Sequence, residues 1–216
     1  MTKGILRKSK LITASYRNAK YIFNSILVKI SPALATKYFY KKNTGKKLNL
    51  TKPKDFNEKI NWLKLNWQHP LVVKCGDKYE VRNYAADKDC ANALIKSYGI
   101  YENAREIEWD DLPNKFVMKV TNGCGYNIIC EDKNTLNIEE TEEQLNKWLK
   151  TNYSVISAEI HYSKMKPRII IEEFIETKDG TLPIDYKIYC FNGVPEYILV
   201  TPERESGYKR YLFDLN

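Results

Sequence analysis

The amino-acid sequence predicts an α+β fold, with helices in its first half and an antiparallel sheet in its second. Two observations carry this. Apolar residues recur at spacings of three and four in the first part of the chain, the period of an amphipathic helix. Short runs rich in Val, Ile, Tyr and Phe then follow, separated by turn dipeptides such as Asn192-Gly193, the texture of strands joined by hairpins. Helices first and strands afterwards is the order expected of an α+β chain. The 216 residues can form one large domain or two small lobes around a cleft. A hydrophobic fraction of 43%, with 16 Tyr, 7 Phe and 4 Trp, is enough for a folded core.

The elements follow in order. Residues 11–30 place Ile12, Tyr16, Ala19, Phe23, Ile26 and Ile30 on one helical stripe. A second helix starts at Ser31-Pro32 and runs to Lys42; Pro32 suits its first turn and Gly45 ends it. Asp55 caps a third that runs through Leu65, with Glu58 at capping-box spacing. Asp77 to Asp87 and Asp89 to Ser97 also read as helices. Lys115–Thr121 and Asn127–Cys130 read as strands around Asn122-Gly-Cys-Gly-Tyr126, and residues 139–153 as a helix with Leu145, Trp148 and Leu149 on one side. Strands are expected at 168–175, 185–191, 195–201 and 208–213, with turns at Asp179-Gly180, Asn192-Gly193 and Ser206-Gly207. No internal repeat or low-complexity linker interrupts them.

Charge divides the chain. The net charge is +8, yet residues 1–54 hold 14 Lys and Arg and no acid, whereas residues 55–216 hold 21 basic against 27 acidic residues. Two compatible readings of the basic arm stand together: a helical pair packed on the body, and a segment lying on an anionic membrane surface. The basic residues concentrate before Asp55 while Tyr and Trp spread throughout, and no RNP-like or helix-turn-helix signature occurs, which argues against a nucleic-acid partner. No apolar run approaches the length that spans a bilayer, and no signal-peptide pattern follows the basic N-terminus. The five cysteines (Cys75, Cys90, Cys124, Cys130, Cys190) form no CxxC pair and read as reduced thiols of a cytosolic protein. Two histidines, His69 and His161, leave little for a His-built metal site or a Ser–His–Asp triad.

Three segments carry candidate chemistry. Lys119 lies in a strand that enters the turn Asn122-Gly-Cys-Gly; backbone N–H groups of such a turn can approach phosphate oxygens, and the lysine adds a point charge. Taken alone, the pattern is more often an ordinary hairpin with a lysine facing water. Arg168-Ile-Ile-Ile-Glu172-Glu173-Phe174-Ile175 is an apolar strand ending in acids, which either emerges into solvent or meets an adenine edge. Asp185 and Lys187, two apart, share one strand face and suit a ribose and a phosphate.

In this order the segments resemble the TupA-like branch of the ATP-grasp superfamily, associated with teichuronopeptide and capsular polysaccharide synthesis. The resemblance covers roughly residues 50–216 and rests on Asp55–Lys64, Cys75-Gly-Asp-Lys-Tyr-Glu-Val-Arg82, Leu112–Lys119, Asn122-Gly-Cys-Gly-Tyr-Asn-Ile-Ile129, Pro167–Glu173 and Asp185-Tyr-Lys-Ile-Tyr-Cys-Phe-Asn-Gly193. It implies an arm (1–54), an N-terminal lobe (55–110) and a nucleotide-binding region (111–216) whose antiparallel sheet binds ATP. It also implies that Lys78, Lys119 and Lys187 contact ATP phosphates and that Gly123 and Gly125 form the phosphate loop. By the same resemblance Glu172, Glu173 and Ile175 lie along the adenine edge and Asp185 holds the ribose. Arg82 suits a salt bridge or a ligand contact equally, and no catalytic residue is named.

Family members continue into a strand pair bearing the magnesium ligands, so the resemblance places the ligands for Mg²⁺ downstream of Asn216. The implied function is that of an ATP-binding ligase or transferase working in the cytoplasm on a polysaccharide or peptide-polymer precursor. It would be membrane-peripheral if the arm binds membrane. The alternative is a non-catalytic, nucleotide-responsive adaptor of a polysaccharide assembly complex.

Overall fold

The computed structural model describes residues 2–178, 180, 183–202 and 209–215, with side chains from residue 15 onward. The chain forms two compact units, Met1–Glu172 and Glu173–Asn216. The fold class is α+β, as expected, with helices preceding two sheets.

The first unit opens on a helical hairpin, α1 (Thr2–Ile30) and α2 (Pro32–Thr44). Ser31 caps α2 by accepting the Leu34 N–H at 3.2 Å, and Gly45, at φ 74°, ends it by donating to the Lys41 carbonyl. Next come α3 (Phe56–Asn66), α4 (Pro70–Gly76) and α5 (Glu80–Ala86). Asp55 accepts the Glu58 N–H at 2.9 Å. The Glu58 carboxylate reaches one residue further than a capping box requires, accepting from the N–H groups of Lys54 (2.7 Å) and Asn49 (3.2 Å).

Two expectations change here. The helix at Asp89–Ser97 is replaced by a single 3-10 turn, Ala91–Ala93, and a strand, β1 (Ser97–Tyr101). Asp89 sits at φ 58°, a left-handed conformation that no α-helix propagates through. The helix at 139–153 is α6 (Ile138–Leu149), capped by Asn137, and a separate single turn, α7 (Ser154–Ser157), follows it.

The sheet of the first unit has the order β1-β4-β2-β3, with β2 at Phe116–Val120, β3 at Asn127–Cys130 and β4 at Ile169–Glu173. Its core is Phe116, Met118 and Val120 from β2, Ile169 and Ile171 from β4, and Leu145 from α6, with Trp148 and Leu149 packed alongside. Each such side chain contributes about 1.5–3 kcal/mol on burial. Alternation along β2 buries Phe116, Met118 and Val120 and sends Lys119 to the opposite face.

The second unit is a three-stranded antiparallel meander, β5 (Asp185–Phe191), β6 (Val194–Thr201) and β7 (Tyr211–Asp214). Asn192 at φ 51° and Gly193 at φ 85° make the two-residue left-handed turn that Asn-Gly favours between twisted strands. The expected strand at 208–213 is thus found from Tyr211. Tyr208, and wholly or in part the turns expected at Asp179-Gly180 and Ser206-Gly207, lie outside the described residues.

Candidate functional site

The site assembles where β2 leaves the core. Val120 N–H donates to the Tyr126 carbonyl at 2.8 Å, closing the turn Thr121–Gly125. Thr121 fastens this turn to the start of β4: its N–H donates to the Arg168 carbonyl at 2.9 Å, and its hydroxyl accepts the Arg168 N–H at 3.2 Å. Glycine is favoured at Gly123 and Gly125 for different reasons. A Cβ on Gly123 would lie 2.8 Å from the Tyr126 ring and 3.0 Å from Tyr153, whereas Gly125 has open space but adopts φ 73°. Beneath the turn runs an aromatic belt. Tyr126 stacks on Trp148 at 5.2 Å and meets Tyr153 edge-on, and Tyr153 meets Tyr162 at 4.9 Å.

Lys78 lies in the bend between α4 and α5. Asp77 shapes that bend by accepting the N–H groups of Tyr79 (2.8 Å) and Glu80 (3.1 Å), while its other carboxylate oxygen is buried without a partner. The Lys78 ammonium donates to the carbonyls of Val120 at 3.2 Å and Gly123 at 2.5 Å, so it is tied to the glycine turn itself. Burial pulls this ammonium below its ordinary value; Cys124, Asp77 and Glu172 oppose the shift, and nearby Lys119 adds to it.

Lys119 donates to Glu172 Oε2 at 2.7 Å, and Arg82, from α5, donates to Glu172 Oε1 at 2.9 Å. Arg82 also donates to the Ile95 carbonyl at 2.5 Å. Glu172 is 7% exposed, so this buried carboxylate balances two cations; counting Asp77, buried beside Lys78, three cations stand against two buried carboxylates. A second pair, Arg168 to Glu80 at 2.9 Å, braces α5 against β4, with the guanidinium 4.8 Å above the Tyr79 ring.

Of the residues singled out in the sequence, the structure gathers Lys78, Lys119, Gly123, Gly125 and Glu172 in the first unit. Lys78 touches Gly123, and Lys119 touches Glu172. Arg82 is a salt-bridge residue here. Glu173 is the exposed end of β4, and Ile175 beyond it is also exposed. Asp185 and Lys187 are on β5 of the second unit and pair with each other.

Sequence reasoning missed a contact in the turn: the Cys124 Sγ lies 2.9 Å from the Tyr162 hydroxyl. Burial, followed by proximity to Cys124, pushes the Tyr153 phenol up to about 12 and raises that of Tyr162 as well. No local pattern signals such a contact, because 38 residues separate its members. One side chain further on, His161 packs on Tyr162 at 4.4 Å and lines a cavity of about 440 Å³ with Trp67, His69, Lys64, Lys164 and Glu159.

A family model described as TupA-like ATPgrasp matches residues 58–216. The chain belongs to the TupA-like ATP-grasp family. Among curated proteins and among solved structures, nothing matches it. The chemistry of this cluster of residues suits a polyphosphate. The Lys78 ammonium sits on the glycine turn, Glu172 holds the Lys119 ammonium, and three cations (Lys78, Arg82, Lys119) stand against two buried carboxylates (Asp77, Glu172). Among the described residues no group of three or more His, Cys, Asp or Glu could hold a metal, and Glu172 is taken up by two cations.

Proposed function

We propose that this chain binds ATP at the first unit's glycine turn and acts in the cytoplasm as a ligase or transferase on a surface-polysaccharide or peptide-polymer precursor. The observation that carries the reading is Lys78 Nζ, which donates to the carbonyls of Val120 and Gly123 on the turn that Lys119's own strand enters. Lys119 has one proton committed to Glu172 and others to spare for phosphate oxygens. Gly123 and Gly125 let the turn backbone approach the same oxygens without a Cβ in the way. ATP supplies the phosphoryl group; the chain supplies charge and position, as phosphoryl transfer demands. Glu172 orients Lys119 and keeps Arg82 in place.

The acceptor reading draws on the neighbouring cavity. Trp67 and His69 stack at 5.6 Å to offer a flat apolar face, and Lys64 and Lys164 supply donors beside it. Acceptor-dependent ADP release, assayed with candidate polymer precursors, tests the proposal. Release that needs both ATP and one class of acceptor supports it. Nucleotide binding that no acceptor converts into turnover favours the adaptor instead.

A further inference from the structure

We infer that the α1–α2 hairpin is a docking surface for an anionic membrane. Tyr16, Phe23, Ile26 and Ile30 follow one another at seven, three and four residues and share one sector of α1. That sector does not pack on the body: Tyr16 is 66% exposed, Ile26 53% and Ile30 74%. The inner face of α1 is a different one, formed by Asn24 and Val28, which are buried toward α2 and α7. From α2, Leu34 and Tyr38 extend the exposed apolar sector, and Tyr38 meets the Phe23 ring edge-on at 5.7 Å.

The charge around this sector has one sign. Arg17, Lys20, Lys29, Lys37, Lys41 and Lys42 are all exposed, and among the described residues none of them is ion-paired. Residues 1–54 contain no carboxylate side chain that could balance them. Arg17, Lys20 and Lys42 also line a groove of about 230 Å³ between the two helices with Tyr21, Asn24 and Phe39. Lys42 lies 5.8 Å from the Tyr38 ring, so the cationic groove and the apolar sector are continuous.

An exposed apolar sector bordered by unpaired cations is the composition of a helix lying in the interface of an anionic bilayer. A soluble partner with an acidic groove would leave Tyr16 and Ile30, at opposite ends of a long sector, to be covered by a matching apolar strip. A bilayer covers them without any matching shape. No helix among the described residues is long and apolar enough to cross the membrane, so the hairpin would lie on its surface. Each Lys or Arg brought to such a surface strengthens binding roughly fivefold at low salt.

The test is co-sedimentation of the full chain with phosphatidylcholine vesicles, with and without phosphatidylglycerol. The expected result is binding to the anionic vesicles alone, weakened roughly tenfold or more by high salt. Ile26→Ser with Ile30→Ser removes apolar area without changing charge, and because both positions are exposed the variant should melt like the parent. It should lose most of the remaining binding. Equal affinity for neutral and anionic vesicles would overturn the inference, as would unchanged binding by the double variant. Dimer dissociation by the double variant, with vesicle binding absent throughout, would assign the sector to a second copy of the chain and overturn it too.

Discussion

Lys119 and Arg82 share one carboxylate: Glu172 accepts from Lys119 through Oε2 at 2.7 Å and from Arg82 through Oε1 at 2.9 Å. The carboxylate stands near the end of β4, and the two cations come from β2 and α5. Removing it leaves both cations without their partner in a half-buried setting. Glu172→Ala should therefore destabilise the first unit by about 3–5 kcal/mol, the usual cost of breaking a buried pair from one side. Glu172→Gln, which keeps the shape and one acceptor, should cost less. Chemical denaturation of the two variants checks the order, and equal, small losses would show that the bridge is only a surface contact.

The two glycines of the turn should fail differently. Gly123→Ala forces a methyl to within 2.8 Å of the Tyr126 ring, so the aromatic belt must shift, at about 1–3 kcal/mol. Gly125→Ala meets no atom but keeps φ at 73°, which costs roughly 1–2 kcal/mol. Gly125→Asn should recover part of that loss, because asparagine tolerates the left-handed region; Gly123→Asn should not. Thermal melts of the four variants separate crowding from backbone strain.

Cys124 offers a direct report on the turn. It is exposed and sits between Gly123 and Gly125, whereas Cys130 is buried in the sheet. Bound nucleotide should slow alkylation of Cys124 while leaving the exposed Cys75, Cys90 and Cys190 unaffected. Peptide mapping after a timed iodoacetamide reaction gives the comparison. Uniform rates with and without ATP would move the nucleotide away from this turn.

Stability should respond to acid through His161. Burial lowers its folded value below the ordinary 6.5; Glu159 opposes the shift, and Lys64 and Lys164 reinforce it. A base whose folded value is depressed binds fewer protons folded than unfolded between those two values. Its contribution is full above about 6.5 and declines as pH falls through that window. The melting temperature should fall correspondingly, and His161→Gln should flatten this part of the profile. A slope unchanged in the variant would assign the effect to other groups.

Much of this architecture was legible in the sequence, because local chemistry wrote it. Ser31, Asp55 and Gly45 mark helix ends through their own side chains or backbone freedom, and Asn192-Gly193 marks its hairpin in the same way. The strand β1 was not legible: Ser-Tyr-Gly-Ile-Tyr is short, and the polar stretch before it reads as helix until Asp89 is seen in a left-handed conformation. At the site, Lys78, Lys119 and Gly123 stood out as residue types. What they touch did not, because Lys119 and Arg82 reach Glu172 across 53 and 90 residues. Periodicity places a side chain on a face and says nothing of which element lies opposite. The α1 stripe shows the same limit. Its spacing was clear, but only the packing of Asn24 and Val28 shows that the stripe faces away from the body.

The most direct measurement is a calorimetric titration of an ATP analogue into the full chain, compared with Lys119→Ala and Lys78→Ala. Each lysine should contribute a charge-assisted contact of about 1.5–3 kcal/mol, so each variant should bind roughly ten-fold or more weakly while remaining folded by circular dichroism. The losses should fall on triphosphate and diphosphate nucleotides and spare adenosine. Folded variants that bind the analogue as tightly as the parent chain would contradict the account and leave Asn122–Tyr126 an ordinary hairpin.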